Sequence, residues 1–105
     1  MADTKQLLWI TNVRISEGQY PIHGLYREKP YNKEDSGWRV ISEIDTPEYL
    51  NDSAHVVTLS QEEIFQIEPA LDSIKDLPFG TELELIQEET SVKFVDYNTK
   101  EPIVL

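Results

Sequence analysis

Apolar and polar residues alternate along much of the chain in a way that marks short strands. Leu7-Leu8-Trp9-Ile10-Thr11-Asn12-Val13 is rich in β-branched and aromatic residues and predicts a first strand. A turn at Glu17-Gly18-Gln19 precedes a second, Tyr20 to Tyr26, with Tyr20, Ile22, Gly24 and Tyr26 on one face. Pro21 places the start of that strand at a sheet edge. Glu28 to Ser36 is a polar loop longer than a minimal hairpin needs, which makes it a candidate functional loop. The turn Asp35-Ser36-Gly37 then opens a third strand, Trp38 to Ser42, and His55 to Leu59 reads as a fourth. Thr81 to Gln87 and Val92 to Tyr97 predict a terminal hairpin. In it Leu83 and Leu85 face Val92 and Phe94, while Glu82 and Glu84 face water. The tail after Asn98 reads as a last extended piece.

Helix signals are few and local. In Thr46-Pro47-Glu48-Tyr49-Leu50, Thr46 is a natural N-cap and Pro47 a natural first helical residue, where a missing N–H costs nothing. Ser60-Gln61-Glu62-Glu63 has the spacing of a capping box, with Ile64, Phe65 and Ile67 supplying the buried side. Pro69 ends that helix and starts another carrying Leu71 and Ile74, which Pro78-Phe79-Gly80 stops. Five or six strands with two or three short helices, and no regular βαβ alternation, predict one α+β domain over residues 1–105. The expected architecture is an antiparallel or mixed sheet with helices on one side.

Charge sharpens this picture. The 105 residues carry 20 Asp+Glu against 9 Lys+Arg, a formal charge of −11. Binding to nucleic acid or to anionic lipid needs a cationic surface, so both are disfavoured. The charge is also uneven. Val40 to Ile74 contains no Lys or Arg but holds Glu43, Asp45, Glu48, Asp52, Glu62, Glu63, Glu68 and Asp72, whereas Lys5 to Arg39 holds six of the nine basic residues. An acidic region follows, unless the middle of the chain folds back onto the first third.

Cysteine is absent, which removes disulfides, thiolate metal sites and a cysteine nucleophile, and favours a reducing cytosol. No basic stretch leads into an apolar run at the start, so no signal peptide or membrane span is expected. His23 and His55 lack companions at ligand spacing, and no metal or cofactor is expected. Ser36 belongs to a turn tripeptide and Glu62 and Glu63 to a cap, so no catalytic group is assigned; a hydrolase is the least favoured class.

The densest polar cluster is Tyr26-Arg27-Glu28 with Asp35-Ser36-Gly37-Trp38-Arg39, flanking the long loop. Arg27 and Arg39 are expected to make forked bonds to Glu28 or Asp35 that pin the loop base. Trp38 either caps the core or presents its face to a partner. At these residues the chain resembles a family of small bacterial domains grouped with immunity protein 33 of polymorphic toxin systems. The likeness is carried by Tyr26-Arg27-Glu28-Lys29-Pro30, Glu34-Asp35-Ser36-Gly37-Trp38-Arg39 and Glu48-Tyr49-Leu50-Asn51-Asp52. Ile67-Glu68-Pro69 through Leu77-Pro78-Phe79-Gly80 adds to it, and the whole covers about Trp9 to Glu88. The chain departs from the family pattern in lacking a Gly in Ser42-Glu43-Ile44-Asp45 and a cysteine in the first strand.

The resemblance implies a cytoplasmic antitoxin-like protein that binds a cognate toxin. A basic toxin, a nuclease among the candidates, would suit the acidic stretch. On that reading Asp35, Trp38, Glu43, Asp45, Glu48 and Asp52 form the partner surface. The alternative is a stand-alone regulatory or small-ligand domain whose pocket is lined by Tyr26, Arg27, Trp38 and Arg39.

Overall fold

A computed structural model describes residues 7–103. Its order is β1 (Leu8–Asn12), α1 (Val13–Ser16), β2 (Gly24–Arg27), β3 (Asp35–Ile41), α2 (Pro47–Leu50), β4 (Val56–Ser60), α3 (Gln61–Ile67), β5 (Glu82–Gln87) and β6 (Val92–Asp96). Two 3-10 turns, Ser53–His55 and Pro69–Ser73, flank β4 and α3. The six strands form one mixed sheet in the order β4-β1-β3-β2-β5-β6, in which β1 and β3 run parallel and every other pair is antiparallel.

One face of the sheet is apolar because alternate residues point to it. Trp9, Leu25, Trp38, Val40, Leu83, Leu85 and Phe94 are buried there beneath Ile64, Leu71 and Ile74 of α3 and the segment after it. The two tryptophans stack at 5.4 Å between ring centroids, and Phe65 meets Trp9 edge-on. Their indole N–H groups would be costly to bury alone. Trp9 donates to the Gln61 side chain at 3.1 Å and Trp38 to the Lys75 carbonyl at 3.0 Å, so both tie the helical layer to the sheet.

The local helix signals hold. Thr46 caps α2 with Pro47 in its first turn. Ser60 and Glu63 complete the capping box of α3 in both directions. The strand boundaries shift more. β2 starts at Gly24 and lies inside the sheet between β3 and β5, so Tyr20 to His23 precede it and Pro21 marks no edge. Val13 leaves β1 for a one-turn helix, because Asn12 caps the Ile15 amide. His55 sits in a 3-10 turn rather than in β4. Glu84 is not turned freely to water, since it is paired with His23 and Lys100. In the hairpin Phe94 opposes Leu85, whereas Leu83 opposes Asp96.

Asp35-Ser36-Gly37 does not precede β3 but belongs to it. Leu8 pairs with Asp35 and Ile10 with Arg39, so two steps of β1 face four of β3 and the strand bulges between them. Gly37 takes φ +87° in that bulge, and its amide donates to Asp35 Oδ1 at 2.9 Å.

Candidate functional site

Two arginines beside the bulge, Arg39 of β3 and Arg27 of β2, point to opposite faces of the sheet. Arg39 lies on the helix-free face, only 5% exposed. Its Nη1 and Nη2 meet the two oxygens of Asp35 at 2.9 Å each, and its Nε meets Glu28 at 3.0 Å. Tyr31 of the long loop covers the guanidinium at 5.0 Å. Burial would raise the Asp35 carboxyl. The Arg39 hydrogen bonds, with the amides of Tyr31 and Gly37, outweigh burial and hold it at about 2. The same bonds from Asp35 push the Arg39 guanidinium further up.

Arg27 does not join that carboxylate pair, contrary to the sequence expectation. Its side chain lies toward the helical layer and donates to the carbonyls of Ser36 at 3.0 Å and Leu77 at 2.7 Å. Its guanidinium lies between the rings of Trp38 at 5.7 Å and Phe79 at 4.7 Å. Its backbone bonds Thr81 and Gly80. Arg27 therefore fastens the turn Pro78–Gly80 to the bulge.

Arg14 serves the other end of the sheet. It donates to Asp45 at 3.0 Å and stacks 3.5 Å above the ring of Tyr49. His55 stacks on the same ring at 3.8 Å and must take its opposite face. Asp45 also accepts from the Asn12 side chain and the Ser42 amide, so its carboxylate is wholly enclosed. The segment 43–52, which crosses from β3 towards β4, is thus mounted on β1 and α1 through Asp45 and Tyr49.

The expected partner surface divides accordingly. Glu43, Glu48 and Asp52 are exposed on this mounted segment. Trp38 is completely buried in the core, Asp35 is buried under its salt bridge, and the Asp45 side chain is enclosed. These three are corrected from contact residues to supporting ones, because stacking on Trp9 and pairing with Arg39 and Arg14 use up the groups a partner would need. The acidic stretch is also less uniform than its composition. Asp72 pairs with Lys75, Glu68 caps the Ala70 amide and Glu63 completes a cap.

The other group splits too. Tyr26, Arg27 and Glu28 line an open groove of about 580 Å³ together with Lys29, Gly80, Thr81 and Glu82. Trp38 and Arg39 are not in it. The exposed aromatic rings of Tyr31 and Phe79 were missed by sequence reasoning, because nothing in the loop Glu28–Ser36 or the tripeptide Pro78-Phe79-Gly80 says which apolar side chains the fold leaves outside. Among the described residues no group of three or more His, Asp or Glu could hold a metal, and no helix is long and apolar enough to cross a membrane.

A family model for the immunity protein Imm33 domain matches residues 9–96. The chain belongs to the Imm33 family. The match runs from Trp9 in β1 to the end of β6, and takes in the Asp35–Arg39 bulge, the Arg27 hub and the mounted segment 43–52. The family description, immunity protein, points this Imm33 domain to a role in toxin immunity with a toxin as partner. No curated protein and no solved structure matches the chain.

Proposed function

We propose that this Imm33 domain protects its producer in the cytoplasm by binding a cognate toxin through an acidic surface, without chemistry of its own. The observation that carries the reading is the fate of the arginines. All three, Arg14, Arg27 and Arg39, are spent inside the fold on Asp45, on backbone carbonyls, and on Asp35 with Glu28. Among the described residues this leaves five lysines against sixteen carboxylates, once Asp35, Asp45 and Glu28 are set aside with the arginines. Glu43, Glu48 and Asp52 project from a segment already rigidified by Arg14, so docking them costs little additional ordering. A toxin with a cationic cleft, a nuclease being the obvious example, is the counterpart such a surface steers.

The test is co-expression with the toxin encoded by the neighbouring gene. Growth rescue and a co-purifying complex are expected, with an association rate that falls roughly tenfold or more between low and high salt. Toxicity unrelieved by the domain, with no complex in a pull-down, overturns the proposal.

A second reading has one observation in its favour, the groove beside Tyr26 and Glu28, whose volume lies in the range of small-ligand sites. Its openness and its charged rim, with Glu28, Lys29 and Glu82, suit a protein side chain better than an enclosed ligand.

A further inference from the structure

The two edges of the sheet are treated differently. The outer edge of β6 is closed by the residues that follow it: Pro102 bridges Val95, Asp96 donates to the Glu101 carbonyl at 2.8 Å, and Ile103 donates to Phe94 at 3.1 Å. β4 is the terminal strand at the other edge, and no described residue pairs with its outer side. Edge strands are normally guarded by lysine, proline, a bulge or extreme shortness. Val56-Val57-Thr58-Leu59-Ser60 has no charge and no proline, and it pairs with β1 in unbroken register over all five residues.

The ladder shows which groups this leaves open. Gln61 donates to the Leu7 carbonyl, while the Leu8 amide turns the other way, to Glu34. Hydrogen-bonded pairs with β1 therefore fall at Leu59 and Val57, and the backbones of Val56, Thr58 and Ser60 point outward. The Val56 amide is taken by Ser53 and the Ser60 amide by the Glu63 carboxylate. Among the described residues, the Thr58 N–H and the carbonyls of Val56 and Thr58 remain as a short template. The side chains of Val56 and Thr58 beside them are exposed on the helix-free face.

Charge selects the occupant. The uncharged strand is bracketed by Asp52 at one end and by Glu62 and Glu63 at the other, all exposed. A second copy would bring carboxylates against carboxylates in either orientation. A segment of another protein with an apolar centre and Lys or Arg at both ends would meet opposite charges. We infer that the outer edge of β4 is where the toxin adds such an extended segment as a seventh strand, by backbone hydrogen bonds centred on Thr58. The inference rests on the toxin-binding reading above and specifies its geometry. It also places the added strand next to Asp52, at the end of the mounted acidic segment.

Amide hydrogen exchange tests it on the native protein, alone and in complex with a catalytically disabled toxin domain from the neighbouring gene. The Thr58 amide is expected to slow at least 100-fold in the complex. Thr58→Pro is expected to weaken binding by a similar factor while the fold persists, since an outward N–H can be spared at an edge. Val56→Lys, at an exposed position, gives an independent route by repelling the cationic ends, and at least tenfold weaker binding is expected. A complex in which Thr58 exchanges as fast as in the free protein, or wild-type affinity in both variants, overturns the edge assignment and leaves the toxin-binding reading intact. Failure of the unaltered domain to bind the toxin at all removes both.

Discussion

Arg39 holds Asp35 through two parallel bonds of 2.9 Å, four residues along a strand that must bulge to bring them together. The regular pleat would turn both side chains to the same face but separate them too far for a fork. The extra residues around Gly37 shorten that separation, and Glu28 and Tyr31 close over the pair. An arginine inside a small acidic domain is in this way made part of the scaffold.

Removing one partner should therefore cost much more than an exposed salt bridge would. Asp35→Asn leaves a buried guanidinium with only the half-exposed Glu28 as counter-charge, and a loss of about 3 kcal/mol is expected in chemical denaturation. Arg39→Lys keeps the charge but loses the fork and should fall between the two.

Acid should act through the same pair. The Asp35 carboxyl holds its proton less tightly in the folded chain, at about 2, than at its ordinary value of 3.8. Its contribution to stability is then complete above about pH 4 and disappears as the pH falls towards 2. A melting-temperature series from pH 6 to pH 2 should show a decline below pH 4 that is weaker in Asp35→Asn.

Gly37→Val tests the bulge. A Cβ at Gly37 would collide with the carbonyl oxygen of Glu28, and φ +87° is a conformation that β-branched residues rarely adopt. A loss of more than about 2 kcal/mol is expected, or failure to fold. An unchanged melting temperature would remove this account of the bulge.

Arg27→Ala should loosen the turn at Pro78–Gly80, because two carbonyls lose their donor and Phe79 loses the cation it stacks on. A cost of about 2 kcal/mol is expected, and lysine should not restore it, since a single ammonium cannot span both carbonyls and both rings. Faster amide exchange at Gly80, which donates to the Arg27 carbonyl, and at Thr81, which donates to the Pro78 carbonyl within the same turn, is the specific readout.

The acidic surface is tested by charge reversal. Glu43→Lys and Glu48→Lys with Asp52→Asn, which keeps the oxygen that caps the Ala54 amide, should leave stability within about 1 kcal/mol, because all three are exposed. Toxin association should slow and lose most of its salt dependence. An unchanged association rate would move the interface elsewhere.

Local signals in the sequence determined a good deal of this protein. The Thr46 cap with Pro47, the Ser60–Glu63 capping box and the Asx turn of Asp35 with Gly37 all form as their spacing requires, because each depends on neighbours within three residues. Five or six strands and an α+β class were legible from alternation for the same reason. Long-range geometry decided the rest. That β2 is internal, that β1 runs parallel to β3, and that β4 is a terminal strand all follow from which strands meet across the sheet. So does the fate of the charges: Arg14 reaches Asp45 across 31 positions, and Arg27 reaches Leu77 across 50. Composition fixed how many carboxylates the chain carries. Only the packing of distant segments decided that Asp35 and Asp45 would be consumed by arginines while Glu43, Glu48 and Asp52 stayed in water.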